Sequence, residues 1–332
     1  MSFRSLVAIA CLVAACGDAS STPEPATSAP QGDWLGAAPP GTDPELFAPG
    51  VVSTGLYERD LAWTPGGDEV YWTVVAPLSR HATVVSARRL DDGTWSEPSI
   101  PELFRGHNSL EPFVTADGAW LWFASTRPLP GEDAIGDWNL WRARRSGDGW
   151  GDAEPLPEPI NGDGDEYYPS LTGDGTLYFT AERPGGLGGE DLHRSRPEGD
   201  GWSAPENLGP AINSPGPEFN SLVHPGGEWI LFGSLREGDS GGGDLYVSFP
   251  TADGWSPARS LPAPLNSPAL DFCPALSPDG RFLFFSSTRE LGDLSAVAIY
   301  RELAELLHGP GNGQSDVYWV DVGVLESLRP TD

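Results

Sequence analysis

The sequence predicts an all-β fold, a five-bladed β-propeller of four-stranded antiparallel blades whose N-terminal strand closes the last blade. Three observations predict it. A unit of about 50 residues recurs along the chain, a period typical of propeller blades. Each unit opens on a tight turn followed by an apolar-x-aromatic strand and, in four of them, a Trp at fixed spacing. The last unit lacks its final strand, and a spare copy of that strand stands near the N-terminus.

Residues 1–15 read as a signal peptide, with Arg4 ahead of the apolar run Leu6–Ala15. Val13-Ala14-Ala15-Cys16 resembles a bacterial lipobox: small residues at the cleavage point and a thiol, Cys16, to carry the lipid. Residues 16–32 then make a lipidated Cys and a flexible linker rich in Ser, Thr, Pro and Ala. The expected address is the cell envelope, as an outer-membrane lipoprotein facing the periplasm or the cell surface. The membrane is contacted through the lipid alone, because no later apolar run is long enough to cross a bilayer.

Residues 33–332 form the propeller. Pro44-Glu45-Leu46-Phe47 repeats Pro101-Glu102-Leu103-Phe104, which follows the first blade's Trp95, so the N-terminal piece is expected to be an outer strand. A strand supplied from the far end of the chain closes the ring and removes its free edges. A sixth blade would need residues 321–332 to build a strand of their own.

The blade turns fall at Gly67, Gly118, Gly175, Gly227 and Gly280. Into the second strands lead Val70/Trp72, Leu121/Phe123, Leu177/Phe179, Ile230/Phe232 and Leu283/Phe285, apolar on both faces as strands between neighbouring blades must be. Third strands start at Thr83, Asn139, Asp191 and Asp244, each ten residues before a Gly that precedes or flanks Trp95, Trp150, Trp202 or Trp255. Because these Trp residues recur by blade, they are assigned to packing. Arg127, Arg183, Arg236 and Arg289 follow the second-strand aromatics, while the first blade has Ala76 there and Thr83 in place of the third-strand Asp. Their joint loss implies structural pairs within blades: Arg183–Asp191, Arg236–Asp244 and Arg289–Asp316. The last blade carries one long insertion, in which residues 293–308 have helical spacing. It joins second and third strands, which places it on the channel-mouth face as a packed helix or a docking surface.

Pro274-Ala275-Leu276-Ser277-Pro278-Asp279-Gly280, followed by Phe284-Phe285-Ser286-Ser287-x-Arg289, resembles the WD40-like propeller repeat of the TolB C-terminal domain. The resemblance covers roughly residues 55–321. It implies a propeller that is usually located in the envelope and usually binds proteins. The chain departs from that pattern in showing no α/β domain before the propeller.

The net charge of −29, with no Lys among the 19 basic residues, argues against nucleic acid and against anionic membrane surfaces. One residue per blade enters the inner strand at an equivalent place: Glu58, Ser109, Glu166, Glu218 and Asp271. Together they make a candidate acidic binding face at the channel mouth. Carboxylates around a propeller axis also occur in glycosidases, but repeat-equivalence favours structure, and no catalysis is expected. Asn161, Asp163 and Asp165 have the alternating oxygens of a calcium loop without the full ligand set, so Ca²⁺ is the one cofactor considered. Gly238-Asp239-Ser240-Gly241-Gly242 copies a serine-protease nucleophile motif but occupies the repeat's Gly-rich loop. Cys273 is assigned as a small buried group. The function expected is that of a non-catalytic envelope scaffold for another envelope protein. A carbohydrate-binding or glycosidase-like propeller and a Ca²⁺-stabilised scaffold are the alternatives.

Overall fold

Aromatic strands cut by Asp-Gly turns can bury both faces only if sheets stack side by side, and the computed structural model arranges them that way. It describes residues 29–236, 241–292 and 294–330. The expected signal peptide, Cys16 and Gly238–Ser240 lie outside the described residues.

Blade 1 is built from Tyr57–Trp63, Glu69–Val75 and Ala82–Arg88, its outer edge made by the bridges Ser86↔Ser99 and Arg89↔Trp95. Blade 2 comprises Ser109–Val114, Trp120–Ser125, Asn139–Ser146 and Gly149–Pro155. Blade 3 comprises Glu166–Leu171, Leu177–Ala181, Asp191–Ser195 and Glu206–Asn207. Blade 4 comprises Glu218–Val223, Ile230–Ser234, Asp244–Ser248 and Arg259–Ser260. Blade 5 takes Asp271–Leu276, Phe282–Ser287 and Asp316–Asp321 from the C-terminal end and Glu45–Leu46 from the N-terminal end. Each inner strand packs on the next, and the fifth on the first.

The closure works through side chains as well as the ladder. Glu45 and Leu46 pair with Trp319 and Tyr318. Phe47, fully buried, meets Phe284 and Trp319 edge-on at 4.9 and 5.1 Å. Phe104, its repeat equivalent, is also fully buried and meets Phe123 at 5.0 Å. Residues 322–328 form 3-10 turns and add no strand, so the ring has five blades. Ordered pairing begins earlier than expected: Gln31 bridges Thr94, and the Trp95 indole donates to the Gly32 carbonyl at 2.9 Å. The last residues assigned to the linker are thus part of blade 1's outer edge.

One apolar cluster fills each of the five blade–blade interfaces. The repeated Trp residues belong to them. Trp150 donates to the Tyr71 hydroxyl at 2.9 Å, and Trp202 and Trp255 meet Trp122 and Tyr178 edge-on in the preceding blades. The insertion is a short 3-10 turn, Leu294–Ala296, and an α-helix, Tyr300–His308. A Cβ at Gly55 would stand 2.2 Å from the His308 carbonyl, so the helix end is wedged against the entry to blade 1.

Candidate functional site

A sixth cluster lies on the axis. Every inner strand breaks register with its neighbour at one place. At each break sits a non-Gly residue of positive φ: Asp60, Glu111, Tyr168, Asn220 and Cys273, at +50° to +60°. A bulge turns the side chain it carries out of the ladder. Left-handed backbone at a non-Gly residue is tolerated only where surroundings enforce it, at about 1–3 kcal/mol each. Here the five bulges aim five side chains at the axis, where they interlock.

Arg59 Nε donates to Asp60 Oδ1 at 2.7 Å and its Nη2 to Glu111 Oε1 at 2.8 Å. Glu111 also accepts from Asn220 Nδ2 at 3.2 Å and from the Tyr168 amide at 2.7 Å. The Tyr168 hydroxyl donates to the Pro274 carbonyl, and the Cys273 thiol donates to Asn220 Oδ1. Burial pushes the Glu111 carboxyl up to about 8 against the pull of Arg59. Burial also drives the Cys273 thiol well above its ordinary value, which keeps it protonated and unreactive. The result is a polar plug across the channel.

On one side of the plug lies a mouth cavity of about 340 Å³, within the usual range for ligand pockets. The residue preceding each bulge lines it: Arg59, Leu110, Tyr167, Phe219 and Phe272, joined by Tyr57 and Trp138. Phe219 lies flat over Gly233, its pair on the second strand, because that residue has no side chain; a Cβ there would lie 2.5 Å from its ring. The opposite mouth, about 330 Å³, is ringed by turn and strand prolines including Pro65, Pro112, Pro169, Pro225 and Pro278. The insertion helix flanks the first mouth, with Ile299, Tyr300 and Leu307 exposed.

The acidic face expected from sequence is not a face. Glu58, Ser109, Glu166, Glu218 and Asp271 are all buried, at most 3% exposed. Three of the carboxylates are the ion-pair partners of the repeated arginines: Arg183 to Glu166 at 3.2 Å, Arg236 to Glu218 at 3.3 Å and Arg289 to Asp271 at 2.7 Å. The pairs Arg183–Asp191, Arg236–Asp244 and Arg289–Asp316 are corrected accordingly. The reason is register: Ser287 stands between Asp271 and Asp316, so both flank the same second-strand residue, and the arginine turns toward the inner strand. Each guanidinium also lies over the second-strand aromatic, such as Phe285 at 5.3 Å. The third-strand carboxylates hold loops or the outer strand instead. Asp191 accepts from the Leu187 and Gly188 amides, Asp316 from the Gly311 amide, and Asp244 from the Ser260 hydroxyl.

Blades 1 and 2 each keep half of the pair. Glu58 has no arginine and accepts from Thr54; burial, helped by Asp316, pushes it up to about 7. Arg127 has no carboxylate, bonds to the Ser109 and Ser125 hydroxyls, and is pushed by burial down to about 10.

Of the residues in the expected calcium loop, Asn161 is already engaged by the blade. Asn161 faces inward, its carboxamide accepting from the Leu140 amide and donating to the Leu140 and Leu156 carbonyls. Asn213 and Asn266 do the same for Leu192 and Leu245, so this is a blade staple. Among the described residues no three His, Cys, Asp or Glu side chains cluster as metal ligands.

The fold and the axial site define the class: a closed five-bladed β-propeller with a plugged channel and one aromatic mouth. No protein-family model matches the chain, and no curated relative matches it. Solved structures similar to it include TolB from Acinetobacter baumannii, 16% identical with a TM-score of 0.47, over 80% of this chain and 54% of that one. The chain thus spans about half the length of that protein. Others are an α-L-arabinofuranosidase from Lactobacillus brevis, 12% identical with a TM-score of 0.45 over 80% and 90% of the two chains. A gluconolactonase, XC5397 from Xanthomonas campestris, is 12% identical with a TM-score of 0.44 over 90% and 96%.

Proposed function

We propose that this propeller is a non-catalytic binding protein, anchored in the cell envelope through Cys16, that engages another envelope protein at the first mouth. One observation carries the reading: all five inner strands deliver a side chain to that mouth, and the plug closes its floor. An aromatic-lined cavity closed at its floor, with exposed apolar side chains on the adjoining helix, is built to hold a group, and Tyr, Trp, Phe and Arg are the residues that dominate binding sites. The inner-strand carboxylates, the groups hydrolysis would need, are spent on arginines, hydroxyls and backbone, which supports binding without chemistry.

The test is capture of a partner from native membranes by the tethered protein. Phe219→Ala and Trp138→Leu are expected to abolish capture with the melting temperature little changed, while Leu90→Ala, exposed in the turn after the third strand of blade 1 at the opposite end of the blade, leaves it intact. Capture that survives both mouth substitutions refutes the assignment.

A further inference from the structure

The mouth is not equally apolar all round. On the side of blades 2 and 3, Trp138 and Tyr167 form a wedge, ring centroids 5.9 Å apart and planes inclined by 43°. One carboxylate fixes it: Asp165 Oδ1 accepts from the Trp138 amide at 2.8 Å and Oδ2 from the Tyr167 hydroxyl at 3.0 Å. Glu190 lines both this mouth and an acidic cleft of about 440 Å³ beside it, which holds Asp137, Asp163 and Glu182. The fully buried Thr180 hydroxyl also lines the mouth and has no hydrogen-bond partner among the described residues.

We propose that this wedge receives an alkylammonium group, its charge over the Trp138 and Tyr167 faces and opposed by Glu190. The inference rests on the reading of the first mouth as the binding face. Aromatic faces attract cations through the ring quadrupole, and a carboxylate behind them adds Coulomb attraction in a partly desolvated place. Burial, with Asp165 and Glu182 adding to it and Arg59 opposing, holds the Glu190 carboxyl above its ordinary range; a bound cation relieves that cost. The two cations nearby are already engaged: Arg183, which lines the cleft, pairs with Glu166 at 3.2 Å. Arg59 lies on blade 1, is spent on Asp60 and Glu111, and covers Phe272 at 5.1 Å. An anionic ligand is disfavoured by Glu190, by the cleft and by the −29 charge of the whole chain, which steers cations inward. Thr180 supplies an acceptor for an N–H or hydroxyl on the same ligand.

Calorimetric titration of the full protein tests this with three probes: choline, its uncharged isostere 3,3-dimethylbutan-1-ol, and Nα-acetyl-lysine N-methylamide. At least one ammonium probe is expected to bind about tenfold or more tightly than the isostere. The tighter of the two identifies the source, a free quaternary ammonium or a lysine side chain on a partner. Glu190→Gln is expected to weaken binding about tenfold and Trp138→Leu to remove it, both variants keeping the wild-type circular dichroism and melting temperature. Affinity of both ammonium probes no greater than that of the isostere overturns the ammonium inference yet leaves the mouth a binding face. Absence of binding by both ammonium probes overturns it too, and partner capture by Trp138→Leu then reports separately on the binding face itself.

Discussion

Blade 1 offers a direct test of how the repeat is held together, because it keeps the inner-strand carboxylate and lacks the arginine. Glu58 is 1% exposed and its carboxyl is pushed up to about 7 from 4.5. A carboxyl raised in the folded state binds its proton more tightly there than when unfolded. Its contribution is therefore fully present below about pH 4.5 and is lost as pH rises toward 7. At 1.36 kcal/mol per pH unit, the difference between acid and neutral conditions is about 3 kcal/mol. Glu58→Gln removes the titration but weakens an amide contact from Thr54 worth about 1 kcal/mol. The variant is thus expected to be about 2 kcal/mol more stable than wild type at pH 8 and about 1 kcal/mol less stable at pH 4. Ala76→Arg is the complementary change. Val74 pairs with Glu58 as Ser287 pairs with Asp271, so an arginine two residues on would reach the carboxylate as Arg289 does. It is expected to stabilise blade 1 at pH 8 and to flatten the pH dependence. Urea unfolding followed by tryptophan fluorescence at the two pH values is the assay. Equal destabilisation of Glu58→Gln at both would refute the reasoning, since Glu58 would then be charged and partnered.

Other substitutions probe the ring and its staples. Phe47→Ala opens a cavity at the closure and is expected to cost about 3–5 kcal/mol in urea unfolding, as is Phe104→Ala. Arg289→Met strands the buried Asp271 carboxylate and is expected to cost about 3–5 kcal/mol, while Arg289→Met with Asp271→Leu recovers most of it. Asn161→Ala leaves the Leu140 amide unsatisfied and is expected to cost about 1–3 kcal/mol, with the melting temperature indifferent to Ca²⁺ or EDTA in both proteins.

Much of the architecture was legible because the repeat is written in local chemistry. Asp-Gly turns, aromatic second strands and the duplicated Glu-Leu-Phe of Glu45–Phe47 and Glu102–Phe104 are signals that need no tertiary knowledge. The arginine partners were not legible for a geometric reason. Inner-strand Asp271 and third-strand Asp316 flank the same Ser287, so no pattern of shared loss separates them. Asn161 was misread because donor spacing in a loop resembles ligation until its carboxamide is seen spanning the Leu140 backbone; Asn213 and Asn266, at equal distance from their leucines, carried the correcting signal. The axial plug escaped because its members differ in type. Yet Asp60, Glu111, Tyr168, Asn220 and Cys273 each lie two residues past the equivalent inner-strand positions, and three of them precede or approach a proline, Pro112, Pro169 or Pro274. The Trp138–Tyr167 wedge had no repeat signal, since the place of Trp138, just before the third strand, is held by Glu190 in blade 3 and Gly243 in blade 4.

The absence of Lys from the chain makes one measurement especially direct. Carbodiimide coupling of cadaverine, followed by peptide mapping, reports which carboxylates a bound amine reaches. If an ammonium ligand seats in the first mouth, coupling at low amine concentration concentrates on Glu190 and its cleft neighbours Asp137 and Glu182 and is suppressed by choline or by Nα-acetyl-lysine N-methylamide. Coupling spread over the acidic surface without preference, or unchanged by both, would contradict the mouth as the seat of that group.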